Sequence, residues 1–213
     1  MTSCCNARGC DRMFNDRFAR RMATRYRKKG LDKTAQRMVD LIAANGLDGA
    51  TVLEVGGGIG EIQLELLKRG AAHATNLELS QAYEAQAQRL LTDTGLTERA
   101  QRRIVDIATA PDEVEPADIV VLHRVVCCYP DYAKLLGAVA DHARKQVVFS
   151  HPPRNALSRL IIGTQNLFFR LRGSEFRVFA HPPDAMRDVL VEHGLRRATV
   201  RKTVAWHVAA AER

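Results

Sequence analysis

Residues Thr51–Glu61 read TVLEVGGGIGE. The stretch opens on an apolar run, Val52, Leu53 and Val55, broken by the single acid Glu54. Gly56, Gly58 and Gly60 then alternate, with Gly57 as an additional glycine, and a helical pattern runs from Ile62 to Lys68 before Gly70 stops it. The order is strand, tight turn, helix. A turn of this kind needs positive φ or close backbone approach, which glycine supplies at least cost, and it sets helix N-terminal amides beside a bound ligand. A dinucleotide fingerprint would need a small residue at the third glycine position. Counted from Gly56 that position is Glu61, so the spacing is Glu-x-Gly-x-Gly-x-Gly and a dehydrogenase is disfavoured.

Working outward, strands and helices alternate. Before the turn, Met13, Phe14, Phe18, Met22 and Tyr26 recur at helical spacing between Arg12 and Lys29, and Gly30 ends the pattern. Asp32 is placed to cap a second helix with Ala35, Met38, Val39 and Ile42 on one face. The first strand is expected at 51–55 and the first crossover helix at 59–69. A second strand is expected at 74–79, followed by a helix capped by Ser80 and stopped by Gly95. The third strand covers 103–105 and ends at Asp106. Asp118–Leu122 is continuously apolar, as in a parallel strand buried on both faces. Asp131 caps the next helix, and 146–150 is the fifth strand. His151-Pro152-Pro153 breaks the alternation. Residues 154–172 read as a helix with eight large apolar residues punctuated by Arg154, Arg159, Arg170 and Arg172. Pro182-Pro183 opens a last helix, and two β-like runs follow at 196–204 and 206–211. The class is a doubly wound α/β sheet. The domain reading is a basic arm with lid helices over 1–46, then a catalytic domain over 47–213 with a helical insert at about 152–180.

With 213 residues and 46% hydrophobic composition the chain can bury one α/β core. Residues 1–37 hold eleven Lys or Arg against three Asp and so carry the whole net charge of +8. Such an arm suits an anionic membrane surface, an acidic substrate or nucleic acid, or is a solvated helix face. Nucleic acid is the least expected of these, because few aromatics interleave the charges. No apolar leader or spanning run is read, and a cytoplasmic monomer or homodimer is expected.

In an open α/β sheet, ligands bind beyond the carboxyl ends of the strands. That rule selects the loops at 54–61, 78–81, 106–107 and 122–132. Glu78, 22 residues after Gly56, is placed to accept ribose hydroxyls, and Asp106 to accept from an exocyclic amine. His123, Tyr129 and His151 lie at the same edge and are the candidate general bases.

The glycine motif resembles motif I of the class I S-adenosylmethionine (SAM)-dependent methyltransferases. Tyr26–Asp40 (YRKKGLDKTAQRMVD), the 54–60 loop, LHRVVCCYPDY and the SHPP segment with its apolar insert are similar to the magnesium-protoporphyrin O-methyltransferase branch. The resemblance implies a Rossmann-like sheet of seven strands, the last antiparallel, with an N-terminal helical lid. It implies a methyl donor, SAM, held by Tyr26, Glu54, Gly56, Gly58, Gly60, Glu61, Glu78, Leu79, Asp106, Ile107 and His123, leaving S-adenosylhomocysteine as product. An acceptor would meet Cys127, Tyr129, Tyr132, Arg154, Phe168 and Phe169, and a lipophilic acid such as a porphyrin would suit the apolar insert and its arginines. Another small-molecule phenol, amine or thiol is the alternative acceptor, and an RNA-binding SAM-fold protein the alternative from a different class.

Five cysteines make no disulfide framework. Cys4, Cys5 and Cys10 form no Cys-x-x-Cys pair, so no metal is expected. Cys127 and Cys128 read either as small buried hydrophobes or as contacts to a substrate or metalloid.

Overall fold

The computed structural model describes residues 13–203 and 205–213. Its N-terminal helices are α1 (Asp16–Lys29) and α2 (Lys33–Ala44). The alternating unit follows as β1 (Thr51–Val55), α3 (Glu61–Lys68), β2 (His73–Glu78), α4 (Glu84–Thr94), β3 (Ala100–Ile104), β4 (Ala117–Leu122), α5 (Tyr132–Asp141) and β5 (Ala143–His151). The chain closes with α6 (Ala156–Leu171), α7 (Pro183–Glu192), β6 (Arg196–Arg201) and β7 (His207–Glu212).

The seven strands form one sheet in the order β3-β2-β1-β4-β5-β7-β6. Strands β1 to β5 are parallel, while β7 runs antiparallel to both β5 and β6. The strand order reverses between β1 and β4, so the crevice at their carboxyl ends is the switch point. Strand periodicity decides which residues face each layer. Ile119 and Val121 of β4 pack with α1, α2 and α3, whereas Val120 and Leu122 pack with α5 and α7. Each of these β4 side chains is fully buried, and each such aliphatic stabilises the fold by about 1.5–3 kcal/mol.

Caps set most helix bounds. Asp32 Oδ1 accepts from the Thr34 and Ala35 amides, and Asp131 Oδ1 from the Lys134 amide, as the sequence predicts. Three expectations shift. Helix α1 starts at Asp16 instead of Arg12, because Asn15 supplies the cap by accepting from the Phe18 amide. Ser80 does not cap its helix: its hydroxyl donates to the Phe14 carbonyl, tying the segment just before α1 to the end of β2, and a 3₁₀ turn at Gln81–Tyr83 intervenes. β3 is longer than its apolar residues indicate because it is an edge strand, where Gln101 and Arg102 are tolerated. Cys4, Cys5 and Cys10 lie outside the described residues.

Candidate active site

The glycine turn works by close packing. Gly56, Gly58 and Gly60 have φ of 64°, 56° and 80°. Gly57 is constrained by space: a Cβ there would lie 2.1 Å from Asn76 Nδ2 and 2.6 Å from Glu54 Cδ. The sequence motif treats Gly57 as an extra residue, yet any side chain there would collide with Glu54 and Asn76. Glu54 Oε2 accepts from the Gln63 amide and from Asn76 Nδ2, so this acid braces the loop from below. Burial, aided by the neighbouring Glu61, pushes Glu54 up to about 8, which leaves it largely protonated at neutral pH.

Above the turn lies a cavity of about 220 Å³, lined at its base by Glu54, Gly56, Gly57, Gly58 and Glu61 and at one side by Glu78, Leu79, Asp106 and Ile107. Phe18 and Met22 of α1, with Phe14 just before it, close it from above. The β4 loop contributes His123, Arg124, Val125, Cys128 and Tyr129.

Glu78, at the end of β2, accepts from three backbone amides: Leu79 and Ser80 on Oε1 at 2.8 and 3.2 Å, and Gly58 on Oε2 at 2.7 Å. A carboxylate has about four acceptor directions, so one remains on Oε2. Burial raises its pKa, against the pull of those amides. The Gly58 carbonyl accepts from Arg102, which is itself bound to Glu84. Asp106 accepts from the Ala108 amide and, on Oδ2, from the Tyr129 hydroxyl at 3.1 Å.

Glu61 begins α3, and its Oε2 is buried with no hydrogen-bond partner in the protein. Burial, reinforced by Asp32, pushes its pKa up to about 7. An unpartnered buried carboxylate oxygen calls for a hydrogen-bond donor from a ligand, such as an ammonium or hydroxyl group.

Asp32 joins the lid to the sheet. Beyond capping α2, its Oδ2 accepts from Arg124 at 2.7 Å and sits 3.6 Å from His123 Nε2. Burial raises its pKa, but His123, the Ala35 amide and Arg124 outweigh that and hold the carboxyl well below the usual carboxylate range. His123 Nδ1 lies 3.1 Å from Ser150 Oγ, which also accepts from the Arg124 amide. Asp32 can only accept, which assigns the ring proton to the Nε2 that faces it, and Nδ1 then accepts from the Ser150 hydroxyl. Burial keeps the His123 pKa low despite Asp32. Arg124 has φ of 60°, the sole non-glycine positive φ among the described residues, and its guanidinium lies 5.0 Å from the Trp206 ring. Backbone strain of this kind concentrates at functional sites.

Most of the cofactor positions expected from sequence meet here. Glu54, Gly56, Gly58, Glu61, Glu78, Leu79, Asp106, Ile107 and His123 all line the cavity. Gly60 lies beneath, as the left-handed residue that starts α3. Tyr26 is placed elsewhere: its hydroxyl donates to Glu65 at 2.5 Å on the outer side of α3. Among the acceptor positions, Tyr129 lines the cavity but Cys127, Tyr132, Arg154, Phe168 and Phe169 do not. Cys127 is buried, with its Sγ 3.6 Å from that of Cys128, and it is Cys128 that reaches the cavity. Tyr132 packs against His181, with ring centroids 4.5 Å apart and the planes tilted by 40°. His151 is buried off the cavity, its Nδ1 bonded to the Pro152 carbonyl. Sequence reasoning did not assign Asp32, Arg25, Arg124 or Gly57 to the site. Asp32 carried only its capping signal, and the two arginines look like the rest of the basic arm and loop.

The methyltransferase domain family matches residues 20–197, which is most of the chain. The chain belongs to that family. It is a SAM-dependent methyltransferase, and the residues present fit the cofactor: the orphaned Glu61 oxygen, the crowding at Gly57 that keeps the loop low, and the remaining acceptor direction on Glu78 all face one cavity. No curated protein sequence matches. Among solved structures, magnesium protoporphyrin IX methyltransferase from Synechocystis PCC 6803 with bound S-adenosylhomocysteine superimposes with a TM-score of 0.72 at 18% identity, covering 95% of this chain and 99% of that one. An O-methyltransferase family protein from Burkholderia thailandensis gives 0.69 at 18% identity, covering 94% and 63%. An O-methyltransferase family 2 protein from Planctomyces limnophilus in complex with apigenin gives 0.68 at 20%, covering 92% and 61%. At these identities the likeness is one of fold, and the seven-stranded sheet with its antiparallel β7 is the shared feature.

Proposed function

We propose that the methyltransferase acts on a carboxylate oxygen of a small lipophilic acid, of the class to which porphyrin propionates belong. The observation that carries this reading is the engagement of every expected general base. His123 is held on both nitrogens, between Ser150 and Asp32. The Tyr129 hydroxyl is given to Asp106, and His151 is turned to the Pro152 carbonyl away from the cavity. A carboxylate is already deprotonated at neutral pH and needs no base, whereas a phenol or amine would draw on one.

SAM, when bound, supplies a methyl group already activated by positive charge. The chain then has to align and to exclude water. Glu61 at the base and Glu78 and Asp106 at the side would hold the donor. Phe14, just before α1, and Phe18 and Met22 on it form an apolar roof, so the N-terminal helices act as the lid in this reading. A low-dielectric roof favours a step in which opposite charges cancel. Arg25 and Arg124 also line the cavity, which suits an acidic acceptor, and Arg124 is pre-oriented by Asp32 and Trp206. The likeness to a magnesium protoporphyrin IX methyltransferase supports the same class.

The test is a methyl-transfer screen with labelled SAM against porphyrin acids, simple aromatic acids, phenols and amines. Methylation of a carboxylate, with kcat within about threefold of the parent in His123→Gln, supports the reading. Turnover confined to phenols and abolished in His123→Gln refutes it.

A further inference from the structure

Helix α6 has no buried residue along its sixteen positions. One side holds it in place. Asn166 exchanges two hydrogen bonds with the backbone of Val178, at 2.8 and 2.9 Å, and the Phe169 ring packs edge-on to Phe176 at 5.5 Å. At 3.6 residues per turn, Ile162 lies on that same anchored side.

The other side is apolar and uncovered. Leu157, Leu160, Ile161, Leu167, Phe168 and Leu171 are between 48% and 77% exposed and fall within an arc of about 120°. The polar residue inside that arc, Thr164, spends its hydroxyl on the Leu160 and Ile161 carbonyls, so it presents no unmet donor.

Cations rim the arc. Arg159 and Arg170, both exposed, follow about 60–80° beyond one edge of it, between the apolar arc and the anchored side. On the other edge Arg172 lies with its guanidinium 4.1 Å from the Phe168 ring centre. Arg154 precedes the helix, and no Asp or Glu occurs anywhere from His151 to Ser174.

Three occupants could cover this stripe, and the charges choose among them. The cavity wall draws no residue from α6, so the stripe is not the roof of the acceptor site. Pairing with the same helix of a second copy would set like-charged rims together, with no acid in the segment to balance them. An anionic lipid surface satisfies both features, because an amphipathic helix with an arginine-rimmed apolar face lies in the headgroup plane. No helix of the described residues is long and apolar enough to cross a membrane, so the contact is peripheral. We infer that α6 is a membrane-surface docking helix that seats the enzyme on anionic lipid. This does not depend on which acceptor the cavity takes.

The experiment is vesicle co-flotation of the full chain. It compares phosphatidylcholine vesicles with vesicles containing about one-third phosphatidylglycerol, at low and high salt. The parent protein should float with the anionic vesicles at low salt and be released by high salt. Leu157→Ser/Leu160→Ser/Leu171→Ser should lower the partition coefficient at least about tenfold. Arg159→Gln/Arg170→Gln should lower it by about fivefold per arginine. All five positions tested have exposed side chains, and unchanged SAM affinity in both variants would confirm that they fold. The inference fails if the parent ignores anionic vesicles, or binds neutral ones equally. It fails if the leucine variant floats as well as the parent. It also fails if sedimentation shows a dimer that the leucine variant makes monomeric, since a second copy would then be the occupant, or if that variant raises acceptor KM with partition unchanged.

Discussion

Changing pH should change cofactor affinity through Glu61. Its Oε2 is buried without a partner, and burial sets its pKa at about 7 in the cofactor-free protein. SAM is cationic and binds best to the ionised carboxylate. At pH 6 a group with a pKa of about 7 is about one-tenth ionised, and at pH 8 about nine-tenths. The dissociation constant should therefore tighten roughly tenfold from pH 6 to pH 8, with about half a proton released per cofactor bound at pH 7. The assay is isothermal titration in buffers of different ionisation enthalpy. Glu61→Gln serves as the reference that carries the ligand's own titration, and it should bind more weakly with a flatter pH profile. The same pKa bears on stability. An unfolded glutamate ionises near 4.5, while folded Glu61 and Glu54 hold their protons to about 7 and about 8. The folded state binds more protons between those values, so the cofactor-free enzyme should lose stability as pH rises from about 4.5 to about 8. If parent and Glu61→Gln show the same pH slope in cofactor affinity, the argument about Glu61 is wrong.

Other perturbations follow from the same geometry. Glu78→Gln removes the charge behind one ribose hydrogen bond and sets an amide N–H against a backbone N–H, so SAM should bind about ten- to a hundredfold more weakly, equivalent to roughly 1.5–3 kcal/mol, in a calorimetric titration. Gly57→Ala should cost about 1–3 kcal/mol in urea unfolding, because the new methyl meets Asn76 and Glu54, while Gly163→Ala on the open side of α6 should be neutral or stabilising by up to about 1 kcal/mol. Asp32→Ala loses the α2 cap and the Arg124 partner together and should destabilise by about 2–3 kcal/mol, whereas Asp32→Asn keeps the cap and should cost less than half of that. Equal losses in the two Asp32 variants would show that the ion pair contributes most of the effect.

The fold was legible in sequence where local chemistry and periodicity agree. Asp32 and Asp131 mark helix starts, the glycine-rich turn marks β1 and α3, and the apolar 118–122 run marks a strand buried on both faces. Legibility fell where a side chain answers to a distant partner. Ser80 looks like a cap until Phe14 claims its hydroxyl. Tyr26 shares the helical spacing of Phe14, Phe18 and Met22, yet it sits about one turn beyond Met22 and meets Glu65, while the other three reach the cavity. The acids at strand ends were readable because the sheet topology fixes where a loop points. Gly57 and Arg124 were not, since crowding by Asn76 and a positive φ at an arginine leave no mark in spacing. The insert at α6 was readable as too apolar for one packed face, but its side chains turn out to face away from the cavity instead of over it.

The most direct test is a calorimetric titration of the purified full chain with S-adenosylmethionine, S-adenosylhomocysteine and NADH. The glycine turn, Glu61 and Glu78 predict stoichiometric binding of both adenosyl ligands, weakened in Glu78→Gln, and no heat with NADH. Binding of NADH with neither adenosyl ligand bound would contradict the account.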